Sequence, residues 1–367
     1  MKIQILGTRG VPARHGGFET FAENLSLYLV SRGHEVTVYC QAEPGDSDAS
    51  GMWRGVKREV IFATASAFGT MLFDLRATLR SLQNPGLPLV LGYNTAIFSI
   101  WYRLAGRASL MNMDGIEWKR EKWSMPLQQW LRLNEWLGAK LSTHLIADHP
   151  EIARHLEQYV RSEKITMIPY GANLIKKMPS ENIESLQLNT RQYALMIARP
   201  EPENSVLEVV RAFSRKTRGY RLVVLGRFQP ESNAYHKAVL ESRSDEVSFP
   251  GAIYEADVVS ALRAHTIWYV HGHRVGGTNP SLVEALAAGN AVIAHDNEFN
   301  RWVAGPDARY FATEDELDFL MSTLSEEELE TMRAAALARH EQEFNLDAMN
   351  RSYEELLHRY AEPLRQA

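Results

Sequence analysis

The feature that most restricts this chain is a pair of successive series of short apolar runs, each run set off from the next by a stretch of helical spacing. The first series reads Lys2–Leu6, Glu35–Cys40, Leu87–Leu91, Ser109–Met113, His144–Ala147 and Lys164–Ile168. The second reads Tyr193–Ala198, Tyr220–Leu225, Glu246–Phe249, Ile267–Val270, Ala291–Ala294 and Arg309–Ala312. Strands of a parallel sheet are covered by helices on both faces, so they need no polar alternation and appear as such runs. Phe18–Ser31, with Phe21, Leu25, Tyr28 and Leu29 at helical spacing, is the first helix. Ser205–Phe213, Ala256–Ala264 and Ser281–Ala288 follow in the second series. A chain of 367 residues has material for two cores. The expected fold class is α/β, with two doubly wound Rossmann-like domains facing a cleft, where ligands bind beyond the carboxyl ends of the strands. The polar, weakly periodic stretch 174–190 is the expected linker between domains 1–173 and 191–344. Asn345–Glu362 reads as a last helix within 345–367, with Tyr353, Leu356, Leu357 and Tyr360 on one side and Pro363 as its stop.

The second series holds the densest signal, the stretch from Gly276-Gly277-Thr278-Asn279-Pro280-Ser281 through Glu284 to Gly289. Paired glycines free the backbone to approach a ligand, Asn279 suits an N-cap, Pro280 suits the first helical position, and Gly289 suits the stop. This predicts a short buried helix with an open N-terminus, whose unpaired N–H groups and partial positive charge suit a phosphate. Glu284, about one turn inside, is placed to accept sugar hydroxyls, and together they describe a nucleotide-sugar site. An ordinary capped helix packed between two strands would carry the same capping signals. Near the start, Gly7–Gly17 is a glycine-bearing loop between strand and helix, but its spacing is not G-x-G-x-x-G, which disfavours a dinucleotide dehydrogenase. Arg9, Arg14 and His15 either add positive charge beside that loop or are simply solvated.

A formal charge of -5 argues against a nucleic-acid partner, which would need a clustered basic surface. No apolar run reaches the roughly 18 residues that span a bilayer, and Met1–Gly7 enters a strand directly, so a cytoplasmic protein is expected. The single cysteine, Cys40, excludes an internal disulfide and a cysteine zinc site and fits a reducing compartment. One segment differs in kind. Trp118, Trp123, Trp130 and Trp136 stand among Lys119, Arg120, Lys122, Arg132 and Lys140, against Glu121 and Glu135. Tryptophan with lysine and arginine suits a membrane-surface helix or an amphiphilic acceptor site, giving an expectation of peripheral contact with the inner membrane. The alternative is that the tryptophans fill the core and the charges face water.

Taken jointly, several motifs resemble the retaining glycosyltransferases of family four, which have the two-domain GT-B architecture. The first half resembles the N-terminal module of bacterial rhamnosyltransferases that build capsule and O-antigen polysaccharides. The carriers are Gly16-Gly17-Phe18-Glu19-Thr20, Arg32-Gly33-His34-Glu35-Val36, Met113-Asp114-Gly115-Ile116-Glu117-Trp118-Lys119-Arg120 with Lys122-Trp123, Ile168-Pro169-Tyr170-Gly171, and Ala198-Arg199-Pro200-Glu201-Pro202-Glu203-Asn204, besides the stretch from Gly276. The resemblance implies that the second domain holds a nucleotide sugar, the first holds the acceptor, and the last helix crosses back to the first domain. It implies Glu284 on the ribose hydroxyls, Arg199 on the diphosphate, Gly16 and Gly17 at the donor, and the backbone of Ile253 at the base.

Three positions depart from the family pattern. Gly276 stands where a first glutamate would touch the donor sugar, Asn204 where a lysine would accompany Arg199, and Asp114 where a histidine would face the sugar. Gly277, Thr278, Asn279, Ser281 and Arg227 keep hydrogen-bonding capacity around them. The rhamnosyltransferases that the chain resembles carry the same G-G-T-N-P variant, so the resemblance implies dTDP-rhamnose as the donor, with UDP- and GDP-sugars as alternatives. The resemblance implies front-face transfer with retention, in which the leaving phosphate takes the acceptor proton, and Arg199, Glu284 and the sugar-positioning Asp114 are the residues expected to form the active centre. Glu117, Trp118, Lys119, Arg120, Trp123, His271 and His273 are the candidates for a saccharide or polyprenyl-diphosphate-linked acceptor. No cofactor or metal is expected, because no D-x-D motif stands in a convincing place and His271-Gly272-His273 lacks an evident carboxylate third ligand. A sugar-nucleotide epimerase and a non-catalytic nucleotide-sugar-binding subunit are the rival readings.

Overall fold

The computed structural model describes residues 1–13, 16–43, 45, 51–120, 122–176 and 178–361. Arg14 and His15, expected beside the first loop, Glu121, counted in the tryptophan segment, and Glu362 and Pro363, expected to end the last helix, lie outside the described residues. The chain forms two compact units, Met1–Pro169 with the segment from Asp347 onward, and Tyr170–Leu346.

Among the described residues the first unit has eight strands: β1 (Lys2–Leu6), β2 (Glu35–Ala42), β3 (Gly51–Trp53), β4 (Val56–Phe62), β5 (Leu87–Leu91), β6 (Leu110–Asn112), β7 (His144–Ala147) and β8 (Ile165–Met167). They lie in the order β3-β4-β2-β1-β5-β6-β7-β8, parallel except for the β3–β4 hairpin. Helices α1 (Gly17–Ser31), α2 (Ala67–Gln83), α3 (Ile100–Leu104), α4 (Met125–Leu141) and α5 (Pro150–Leu156) connect them. Ile3 and Ile5 of the central strand are fully buried and stand level with Val36 and Val38 on one side and Leu87 and Leu89 on the other. The chain leaves β1 through Gly7 at φ +79, where a Cβ would lie 2.1 Å from the Leu91 carbonyl oxygen, so only glycine passes. β3, β4 and α2 are absent from the expected elements. β4 carries Lys57-Arg58-Glu59 in its middle, which hides a strand whose Val56, Val60 and Ile61 are nonetheless buried.

The second unit has β9 (Tyr193–Ile197), β10 (Arg221–Leu225), β11 (Val247–Gly251), β12 (Tyr269–His271), β13 (Val292–His295) and β14 (Arg309–Phe311) in the order β11-β10-β9-β12-β13-β14. Counted from its own first strand, this is 3-2-1-4-5-6, the Rossmann order with its switch point between β9 and β12. Its helices are α6 (Glu181–Glu184), α7 (Val206–Ser214), α8 (Ala234–Glu241), α9 (Ala256–His265), α10 (Pro280–Ala287), α11 (Glu298–Ala304), α12 (Glu314–Thr323) and α13 (Glu326–Glu343). Alternate residues of each strand serve opposite faces. Leu195, Val223, Tyr269 and Val292 enter one core, while Ala194, Met196, Val224, Val270 and Ile293 enter the other. That division explains why the strand sequences are apolar without alternation.

The stretch 174–190 differs from the expected linker. It contains α6, its Ile183 and Leu188 are buried in the core beside Leu262, and the Ile175 N–H donates to the Ala287 carbonyl at 3.0 Å. Average polarity concealed two anchoring side chains. The last helix, α14 (Leu346–Ala361), packs in the first unit. Asn112 Nδ2 donates to the Tyr353 hydroxyl at 2.8 Å, the Tyr353 ring lies 4.9 Å from that of Phe21, and the Tyr360 hydroxyl meets His144 Nδ1 at 2.7 Å. Among the described residues no helix is long and apolar enough to cross a membrane.

Candidate active site

At the carboxyl edge of the second sheet, Ile197 of β9 pairs with Leu225 of β10 in parallel register. Arg199 and Arg227 each stand two residues beyond those partners, in the loops just past the carboxyl ends of neighbouring strands. Both are exposed, and among the described residues neither guanidinium has a hydrogen-bond or ion-pair partner. Two adjacent uncompensated guanidinium groups can clamp an oxyanion, since the charge is permanent and the donors are planar and multiple.

The loop behind Arg199 is locked from below. The buried Asn204 donates its side-chain amide to the Arg199 carbonyl at 2.8 Å. Gly272, just past β12, passes so close that a Cβ there would sit 2.2 Å from the Asn204 carbonyl oxygen. Arg274 completes the join, with its N–H donating to the Glu203 carbonyl at 2.9 Å, Nε to Ser205 Oγ at 2.9 Å, and an ion pair to Glu208 at 2.7 Å. Asn204 therefore does not take the expected donor-facing place. Its amide is spent holding the backbone that carries Arg199.

The N-terminus of α10 also differs from expectation. Asn279 is the cap, and its Oδ1 accepts the Ser281 N–H at 3.0 Å. Pro280 has no N–H, and the Leu282 and Val283 N–H groups both donate to the Asn279 carbonyl at 3.1 Å. The residue type that marks the helix start thus occupies the Ser281 amide, one of those from Gly277 to Ser281 expected to meet a phosphate. Thr278 is buried, whereas Gly276 and Gly277 are half-buried. At Gly276, with φ +145, nothing lies within 4 Å of where a side chain would begin.

Glu284 is held by a residue the sequence reading missed. Arg263 of α9, 2% exposed, donates from Nη2 to Glu284 Oε2 at 2.6 Å, while the Glu284 side chain remains 34% exposed. Arg263 also reaches the Ser281 carbonyl and hydroxyl at 3.4 Å, and Asn290 Nδ2 donates to the Arg263 carbonyl at 2.7 Å. Ser281 Oγ meets the Tyr269 hydroxyl at 2.6 Å, so the first turn of α10 is anchored to β12. Among the described residues Oε1 of Glu284 has no partner, which leaves one carboxylate oxygen to accept hydroxyls. Burial, then the Glu284 charge, pushes the neighbouring Tyr170 phenol far up, so it stays protonated. The available signal was a lone arginine among Val258, Val259, Ala261 and Leu262, because a cation on an apolar helix face requires a counter-charge.

His271 is not an exposed acceptor contact. It is 1% exposed and stacked on His273 with ring centroids 4.2 Å apart, and among the described residues neither of its nitrogens has a hydrogen-bond partner. Burial first, then His273, Arg263 and His295, hold its pKa well below the ordinary value, so the ring is neutral. His273 is half-buried, and Ile253 is half-buried against the core that contains Leu262.

In the first unit, Gly16, φ +86, caps α1 and is exposed with Gly17. The Arg9 and Ala13 N–H groups donate to Glu19 and Glu23 of α1 at 3.4 and 2.6 Å, so these two amides are held by the helix that follows the loop. A cavity of about 270 Å³ opens beside it, with Arg9, Cys40, Gln41, Glu43 and Arg58 in its wall. Asp114 has φ +53, and its N–H donates to Asn112 Oδ1 at 2.9 Å. Among the other acceptor candidates, Glu117 pairs with Arg120 at 2.8 Å, and Lys122 lies over the Trp123 ring at 4.6 Å. Trp118 is half-buried, with Lys119 at 5.7 Å and Arg132 at 5.4 Å over its ring. Its indole N–H donates to Glu135 at 3.0 Å. Glu135, 2% exposed and unremarked in the sequence reading, also binds His155 Nε2 and the Tyr159 hydroxyl at 3.0 Å each. Trp118 is thus tied inward at its polar edge rather than free for an acceptor.

Residues 179–320 match the family model described as Glycosyl transferases group 1, and residues 1–173 match one described as a domain of unknown function, DUF1972. No curated protein matches the chain. Among solved structures, a sucrose-phosphate synthase from Thermosynechococcus elongatus has a TM-score of 0.83 at 16% identity, covering 100% of both chains. Anabaena HepE in complex with UDP-glucose has a TM-score of 0.77 at 17% identity, again over 100% of both chains. An α,α-trehalose 6-phosphate synthase from Burkholderia multivorans has a TM-score of 0.74 at 12% identity, over 99% of this chain and 97% of that one. At these identities the likeness concerns the fold. Two Rossmann-like units make it the GT-B fold, and the second unit is a group 1 glycosyl transferase domain.

Proposed function

We propose that this chain, with a group 1 glycosyl transferase domain as its second unit, is a retaining hexosyltransferase that moves a sugar from a nucleotide diphosphate to a saccharide acceptor. The observation that carries the reading is the pair of exposed, unpartnered guanidinium groups, Arg199 and Arg227, at the carboxyl ends of adjacent strands of that domain. Separating a diphosphate from an oxocarbenium-like sugar is an electrostatic problem, and each well-aimed donor to the leaving group supplies on the order of a few kcal/mol. Arg199 and Arg227 hold the diphosphate, Glu284 accepts a ribose hydroxyl at Oε1 while Arg263 fixes Oε2, and the positive end of α10 adds to the field. The reaction then needs no metal, and the departing phosphate takes the acceptor proton.

The donor in this reading is dTDP-rhamnose. Gly276 offers no carboxylate for a sugar rich in hydroxyls, and the space beside it suits the methyl group of a 6-deoxy sugar. HepE was crystallised with UDP and with UDP-glucose, which supports a nucleotide sugar in general and makes UDP-glucose the natural competitor. The first unit takes the acceptor, a lipid-linked saccharide used in surface-polysaccharide synthesis, with Lys119, Trp123 and the cavity at Arg9 and Arg58 as its contacts. Met125, Leu133 and Trp136 of α4 are exposed beside Arg132 and Lys140, a composition that suits the headgroup boundary at the inner face of a membrane.

Incubation of the protein with dTDP-rhamnose, UDP-glucose or a GDP-sugar and a polyprenyl-diphosphate saccharide tests the reading. Transfer from dTDP-rhamnose is expected. Release of an isomerised sugar nucleotide would establish an epimerase instead, and binding without turnover would establish a non-catalytic subunit.

A further inference from the structure

A cluster outside the donor machinery has its own chemistry. His34 precedes β2, while Glu354 and His358 lie one turn apart on α14 and therefore share a face. One ligand atom from each of the three lies within 4.8 Å of the others. His34 Nε2 is 2.8 Å from Glu354 Oε1, and the two imidazole rings stand 5.2 Å apart at 70°.

We propose that His34, Glu354 and His358 form a binding site for a divalent cation of the zinc class, which pins the last helix to the first unit. Two imidazoles and a carboxylate, with the fourth position left to water, are an established zinc set. Ligand atoms at about 2.0–2.1 Å in tetrahedral geometry are about 3.3 Å from one another. His34 Nε2 and Glu354 Oε1 therefore need to part only slightly to admit the ion, and the exposed His358 is free to turn inward. The other carboxylate oxygen, Oε2, accepts from the Tyr28 hydroxyl at 3.0 Å and pairs with Arg32 at 3.5 Å, which orients Oε1 toward the imidazoles. His34 Nδ1 lies 3.3 Å from the Met1 amino group, a second positive charge beside the site. These positive groups oppose any cation and set a moderate affinity, while the two imidazoles favour an ion that gains from nitrogen ligation over magnesium, which prefers oxygen. The site is independent of the glycosyl-transfer reading, since none of its residues serves the donor.

The test is calorimetric titration of the chelator-treated full-length protein with zinc chloride or magnesium chloride, accompanied by thermal unfolding. One equivalent of zinc is expected to bind, and at about a hundredfold excess over Kd the unfolding midpoint of the first unit should rise by about 5–10 °C. Magnesium should do neither. His358→Ala, at an exposed position, should unfold like the parent without metal and lose at least about tenfold in zinc affinity. Absence of zinc binding, or equal affinity and midpoint shift in His358→Ala, would overturn the proposal.

Discussion

Glu284 is an obvious target for a functional test, but the structure makes its alanine variant a stability perturbation as well. Its partner Arg263 is 2% exposed, whereas the Glu284 side chain is 34% exposed, and the two meet at 2.6 Å. Breaking a buried pair costs about 3–5 kcal/mol because the remaining charge is stranded without water. Glu284→Ala strands the guanidinium in the core and should cost near that full amount. Arg263→Met strands a carboxylate that solvent already reaches, and methionine refills the aliphatic volume, so about 1–3 kcal/mol is expected. The double variant Arg263→Met/Glu284→Ala removes both charges and should be more stable than the sum of the singles by about 1–3 kcal/mol. Because the chain has two units, the assay is hydrogen exchange of the α9 and α10 amides, which reads the local opening free energy. Donor affinity, measured in parallel, should fall in Arg263→Met, since Oε1 of Glu284 loses its fixed direction. Additivity of the singles within about 0.5 kcal/mol would refute the coupling, as would Glu284→Ala costing less than Arg263→Met.

Arg199→Ala and Arg227→Ala remove exposed groups without partners, so each should alter unfolding by less than about 0.5 kcal/mol while lowering turnover at least about tenfold, or about 1.4 kcal/mol in the barrier. Unchanged rates in steady-state assays of both would refute the clamp. Gly272→Ala forces a methyl group onto the Asn204 carbonyl oxygen and should cost about 1–3 kcal/mol with loss of donor affinity; parental melting and binding would show that the loops part freely. His144, between Thr166 Oγ1 and the Tyr360 hydroxyl, has its pKa lowered to about 4, chiefly by burial and then by Arg359 and Lys164. The folded first unit then binds fewer protons than the unfolded chain between pH 6.5 and 4, so its stability falls as pH drops through that window. In His144→Gln that dependence should flatten, and an unchanged acid-unfolding profile by circular dichroism would count against it.

The sequence alone determined the layers. Apolar runs without alternation, such as Leu87–Leu91 and Tyr193–Ile197, announce parallel strands, because the chemistry of such a strand is repeated in every residue of it. Asn279-Pro280 and Gly289 likewise bracketed α10 through purely local backbone preferences. The tertiary structure decided the partners. Whether an Asn204 amide faces a ligand or the Arg199 carbonyl, whether His271 is exposed or sealed beneath His273, and that Glu284 belongs with Arg263 all depend on groups brought together by the fold. A residue type sets what a side chain is able to do, but burial and the atoms opposite decide what it does, and those follow from contacts between distant parts of the chain that no local pattern encodes.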